Sequence, residues 1–181
     1  SRMVGLMTER LLNDPRVKIT PYGDNSCESH IPIGNLPSLY WDNYICDELH
    51  LQPFLKRKYR RKNQNPIRIG ITWRGGKTER MQSKRSVPLG LYPRMKTLKN
   101  DFIKIIQLQY SPLVTEIDFL KKNFGSKLSL PKYDATKDLD SWVDHIDSCD
   151  LIVSIDNSAV HFAGSMGVPT IAMIPTHPDF R

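Results

Sequence analysis

From Ile67 onward, short apolar runs alternate with stretches whose apolar residues recur at helical spacing. Ile67 to Trp73, Phe102 to Leu108, Leu128 to Leu130, Leu151 to Ile155 and Thr170 to Ile174 have the length and β-branching of buried strands. Pro88 to Leu98, Thr115 to Phe124, Leu139 to Cys149 and Ser158 to Met166 read as helices. The first would face inward through Leu91, Met95 and Leu98, the third through Trp142, Val143 and Ile146, and the last through Val160, Ala163 and Met166. Gly125 closes the second helix, and Gly167 with Pro169 the last. The residues between Trp73 and Pro88 read as a basic, glycine-containing loop. Strands alternating with helices, joined by right-handed crossovers, predict an α/β fold with a Rossmann-like parallel sheet and helices on both faces.

The first 66 residues lack this rhythm. Met3 to Leu12 has helical spacing, Val17 to Thr20 could form a short strand, and residues 21–38 are rich in Pro, Gly, Ser and Asn. Residues 39–66 are polar and basic and end at Asn63-Gln64-Asn65-Pro66, which places a domain boundary there. The expected organisation is therefore 1–66 as one segment and 67–181 as the regular α/β domain.

Candidate chemistry concentrates where the run Leu151 to Ile155 meets Asp156, Asn157 and Ser158, all good N-cap residues. A strand that runs through a polar tip into a helix places that tip at the carboxyl edge of a parallel sheet, where ligands bind. Unsatisfied N–H groups and the helix dipole there favour an anion such as a phosphate. Ser158, Ala159 and Gly164 are small enough for close approach, and His161 lies on the first turn. A purely structural strand–cap–helix unit has the same pattern.

Composition narrows the classes. The chain has 181 residues, 39% hydrophobic and 25% charged, with no apolar run long enough to span a membrane and no signal-peptide pattern. Its three cysteines, Cys27, Cys46 and Cys149, are too widely spaced for a metal or disulfide framework, which suits a reducing compartment, and Cys149 reads as a buried thiol. The five histidines show no zinc-ligand spacing, and no metal is expected. The acidic positions Asp140, Asp144 and Asp147 share a helical face and read as a solvated one. The net charge is +7. Part of it lies in Lys56-Arg57-Lys58-Tyr59-Arg60-Arg61-Lys62, either a solvated linker or a tract for anionic lipid or nucleic acid. No nucleic-acid reader motif accompanies it. A second cluster, Arg74, Lys77, Arg80, Lys84 and Arg85, falls in the loop after the first strand, where it could neutralise a diphosphate.

Asp150 to Pro169 resembles the donor-binding motif of glycosyltransferase family 9, the ADP-heptose:lipopolysaccharide heptosyltransferases, and of related transferase domains that follow tetratricopeptide repeats. Asn157 stands where those chains usually have Thr. The resemblance extends to Ile69-Gly70-Ile71-Thr72-Trp73-Arg74-Gly75, with Arg74 in place of a small residue, and to Arg85-Ser86-Val87-Pro88-Leu89. It also takes in Leu108-Gln109 and the segment His30 to Pro37. These motifs keep their order over residues 30–181.

The resemblance implies the C-terminal half of a GT-B glycosyltransferase. Residues 67–181 would be the nucleotide-sugar donor domain, short of its final helices, and 1–66 the end of an acceptor-side domain. The reaction implied is sugar transfer from a nucleotide-diphosphate sugar to a glycan or lipid-linked acceptor, without metal or other cofactor. The general base would lie in the missing part of the acceptor-side domain, so no catalytic residue is named and the chain alone would be incomplete. Donor-binding candidates are Asp156, Asn157, Ser158, Ala159, His161, Arg85, Arg74 and Lys77, with Gln109 and Asp138 on the base or ribose side. Structural alternatives stand beside them: Asp156 as a cap, His161 as a packing residue, Arg85 as a surface charge, Gln109 as an internal link. The expected location is the cytoplasm, with peripheral contact at the inner membrane left open. The contrasting reading is a non-catalytic binding module of the same fold that uses residues 56–62.

Overall fold

The computed structural model describes residues 53, 55–59, 65–76 and 78–176. The expected elements of residues 3–20, the segment His30 to Pro37, Arg60 to Lys62, Lys77 and the chain from His177 onward lie outside the described residues.

Five parallel strands form one sheet in the order β3-β2-β1-β4-β5. They are β1 (Ile67–Ile71), β2 (Ile103–Gln107), β3 (Leu128–Ser129), β4 (Leu151–Ile155) and β5 (Thr170–Met173). Among the described residues four α-helices accompany them: α1 (Glu79–Arg85), α2 (Val114–Phe124), α3 (Leu139–Asp147) and α4 (Ser158–Met166). This is the Rossmann-like arrangement that the alternation predicts. The chain builds outward through β2 and β3, then returns by α3 to place β4 beside β1, so the switch point lies between β1 and β4.

Strand alternation divides the core. One face carries Ile69, Ile71, Trp73, Ile103, Ile105 and Val153 against Tyr92, Leu98, Leu120 and Phe124. On the other face, Gly70 allows the closest approach in the domain. A Cβ there would come within 2.4 Å of Leu108 Cδ1, 2.7 Å of Ile152 Cδ1 and 3.1 Å of Cys149 Sγ. All three neighbours are fully buried, so they have little room to yield. Gly70→Ala is expected to destabilise the domain by about 1–3 kcal/mol through overpacking; an unchanged denaturant midpoint would contradict this packing.

Two expectations need correction. The helix expected over Pro88 to Leu98 is instead a pair of 3-10 segments, Leu89–Arg94 and Lys96–Lys99. Pro93 inside the stretch has no N–H and fixes its own φ, which breaks an α-helix. Leu91 and Met95 are consequently exposed, while Tyr92 and Leu98 are buried. Secondly, the loop after β1 contains α1, whose N-cap Thr78 accepts from the Met81 N–H at 3.4 Å. No residue of α1 is buried, so it carries no apolar period to read.

Asp147 is not part of a solvated face. It is fully buried and accepts from Arg57 Nε at 2.9 Å and from the Lys58 N–H at 2.6 Å. Arg57 Nη2 also reaches the carbonyls of Asp147 (2.7 Å) and Cys149 (3.2 Å), and the Leu55 N–H donates to the Ser165 carbonyl at 2.9 Å. Residues 55–59 are thus bound to α3 and α4. Cys149 is buried as expected, and burial pushes its thiol up to about 12.

Candidate functional site

The β4–α4 junction forms as its sequence dictates. The β-branched run ends at Asp156, and Asn157 caps α4, its Oδ1 accepting from the Ala159 N–H at 2.9 Å. Gly167, at φ 70°, ends the helix in the left-handed conformation that glycine adopts without strain. Asn157 does more than cap. Its Nδ2 donates to Thr72 Oγ1 at 2.9 Å, and Ser154 Oγ lies 2.6 Å from that same Thr72 oxygen and 3.1 Å from Asn157 Oδ1. Thr72 and Ser154 are buried, so this polar cluster locks the tip of α4 to the ends of β1 and β4, across the switch point.

Few first-turn donors of α4 remain available. The Ala159 N–H is taken by the cap, the Val160 N–H donates to the Asn157 carbonyl at 3.1 Å, and Ala159 is fully buried. The residue that faces solvent at the first helical position is Ser158. His161 is exposed one turn further on, followed by Gly164, where a Cβ would meet nothing within 4 Å. The open strip on α4 therefore runs Ser158, His161, Gly164. The inward residues are Ala159, Phe162, Ala163, Ser165 and Met166. Val160, expected inward, is half-buried, while Phe162 is buried with its ring edge-on to Trp142 of α3, centroids 5.9 Å apart.

Two arginines of the loop after β1 reach the carboxyl edge and find carboxylates there. Val87 N–H donates to the Trp73 carbonyl at 2.9 Å, which folds the excursion through α1 back on itself. Arg85 Nη2 thereby donates to Asp156 Oδ2 at 3.0 Å and to its carbonyl at 3.2 Å. Both side chains are mostly shielded from water. Arg74 pairs with Glu116 on the first turn of α2, at 3.0 and 3.2 Å, and donates to the Ser111 carbonyl at 2.7 Å. Burial of the Glu116 carboxyl opposes its charge. The bonds from Arg74 and from the Leu113 N–H outweigh that and hold it below its ordinary pKa.

Gln109 links the ends of β1 and β2. Its Oε1 accepts from the Trp73 and Arg74 N–H groups (3.0 and 2.9 Å), and its Nε2 donates to the Arg74 and Tyr110 carbonyls (2.8 and 3.1 Å). With its amide saturated, Gln109 shapes the edge rather than offering a free group. Asp138 caps α3, and its bonds from Ser141 hold its carboxyl below the usual range. Lys77 lies outside the described residues.

The structure thus gathers Asp156, Asn157, Ser158, His161 and Arg85 at the β4–α4 tip and places Arg74 and Gln109 on the neighbouring β1 and β2 ends. Asp138 belongs to the cap of α3. Sequence reasoning did not single out Thr72, Ser154 or Glu116. Only Thr72 and Ser154 carried a signal, as polar residues at the end of one apolar strand and inside another. Among the described residues, no group of His, Cys, Asp and Glu could hold a metal ion, and no helix is long and apolar enough to cross a membrane. Of the basic run, Arg57 is engaged with Asp147, and Lys58 Nζ lies 3.6 Å from Asp144. No family model, curated protein or solved structure matches the chain.

Proposed function

We propose that residues 67–176 form the donor-binding domain of a glycosyltransferase that takes a nucleotide-diphosphate sugar. The observation that carries this reading is the exposed, cap-ordered N-terminus of α4 at the β1/β4 switch point. The diphosphate sits over the exposed Ser158, at the positive end of the helix dipole, and His161 extends the contact by one turn. Asp156, oriented by Arg85, faces the sugar hydroxyls. The motif resemblance from Asp150 to Pro169 selects a nucleotide sugar from among phosphate-bearing ligands.

In the complete enzyme, an acceptor hydroxyl attacks the anomeric carbon, the bond from that carbon to the diphosphate breaks, and the nucleoside diphosphate leaves. Negative charge grows on the diphosphate as the bond breaks, so fixed donors at the α4 tip stabilise the transition state more than the ground state. No residue of the described domain is assigned as the base that accepts the hydroxyl proton. The acceptor is a glycan or a lipid-linked glycan.

Calorimetric titration with ADP, UDP and GDP at two salt concentrations tests the reading. Saturable binding of one nucleotide, retained at the higher salt, is expected. Absence of binding to all three would overturn it.

A further inference from the structure

The loop after β2 is held more firmly than its exposure requires. Gln109 fixes the backbone on either side of the β1 and β2 ends, and the Tyr110 carbonyl is one of its partners. Ser111 takes φ 51°, a left-handed conformation uncommon for a residue with a side chain, and Arg74, anchored on Glu116, donates to its carbonyl. Between these two restraints stands Tyr110, 44% exposed. Its ring meets Trp142 edge-on at 6.2 Å and 80°. Trp142 is itself fixed, buried with Nε1 donating to the Leu108 carbonyl at 2.9 Å and its ring against Phe162 of α4.

Tyr110 is therefore an ordered aromatic surface on the α4 side of the sheet, at its carboxyl edge. β2 and β4 flank β1, so the end of β2 lies about 10 Å from the α4 tip along the edge, two strand spacings. A ribose bridges a separation of that order between a diphosphate and its base.

We infer that Tyr110 is the stacking platform for the nucleobase of the donor. The inference rests on the donor-site reading above and deepens it. It also divides the ligand: phosphates on α4, base on the loop after β2. A π-face accepts any base, so Tyr110 supplies affinity for the nucleoside half without choosing among bases. The rigid loop keeps the ring in place before the ligand arrives, which limits the ordering cost of binding.

The test compares native chain, Tyr110→Ala and Tyr110→Phe, each titrated with ADP, UDP, GDP and inorganic pyrophosphate. Tyr110→Ala should weaken the preferred nucleoside diphosphate by about tenfold or more and leave pyrophosphate affinity unchanged, while Tyr110→Phe keeps both. Equal nucleotide affinity in Tyr110→Ala and native chain would overturn the inference and leave the donor-site reading standing. Loss of pyrophosphate and nucleotide together in Tyr110→Ala would also overturn it, since the tyrosine would then only support the fold. A native chain that binds neither ligand would overturn the donor-site reading and this inference with it.

Discussion

Arg57→Ala is expected to cost about 3–5 kcal/mol of stability, the range for removing one partner of a buried ion pair. Asp147 has no exposed surface, and Arg57 Nε pairs with its Oδ1 at 2.9 Å. Without the guanidinium, the carboxylate keeps the Lys58 and Tyr59 N–H groups at 2.6 and 3.3 Å but loses a charged partner in a buried setting. The Asp147 and Cys149 carbonyls, where α3 ends and β4 begins, lose a donor in the same change. For a chain of this size the melting temperature should fall by about 6–20 °C. Arg57→Lys should fall between, because an ammonium keeps the charge but cannot reproduce the forked contacts. A loss below about 1 kcal/mol in chemical denaturation would show the pair to be no more than a surface contact. The result also bears on the basic run, since a tract for lipid or nucleic acid would lose affinity on this substitution and keep its stability.

Ser158→Asp should abolish nucleotide binding and leave the fold intact. A carboxylate at the first helical position lies near the positive end of the α4 dipole, where acidic side chains favour the helix by about 0.3–1 kcal/mol. The same carboxylate would stand about 5 Å from a bound phosphate, a repulsion of about 3 kcal/mol per charge at an effective dielectric near 20, more than a hundredfold in affinity. The two effects have opposite signs, so an unfolding experiment and a titration on one variant separate structure from binding. A variant as stable as the native chain that still bound nucleoside diphosphate at native affinity would remove Ser158 from the site.

The β4–α4 unit was legible because its signals are local and agree with each other. A β-branched run, an asparagine cap, a helical period and a glycine followed by proline set both elements at the boundaries seen, Leu151–Ile155 and Ser158–Met166. The parallel, Rossmann-like character of the sheet followed from alternation and crossover handedness. What stayed hidden depends on partners distant in sequence. Asp147 looks like its solvated neighbours until Arg57, ninety positions earlier, is placed beside it. Gln109 could be named as a candidate, but its saturation by Trp73, Arg74 and Tyr110 is tertiary. Arg85 and Arg74 read as free cations for a diphosphate. The structure gives each a carboxylate, so the positive character of the site rests on the helix terminus more than on loop arginines. Pro93 was visible and outweighed the apolar period of its segment.

The most direct test locates the ligand on the domain. Backbone amide resonances of isotope-labelled chain would be followed during titration with the nucleoside diphosphate it binds best. The account predicts the largest shifts at Ser158 to His161, with a second group at Thr72 to Gly75 and Tyr110. Shifts confined to residues 56–62, or spread without a maximum at the α4 tip, would contradict it.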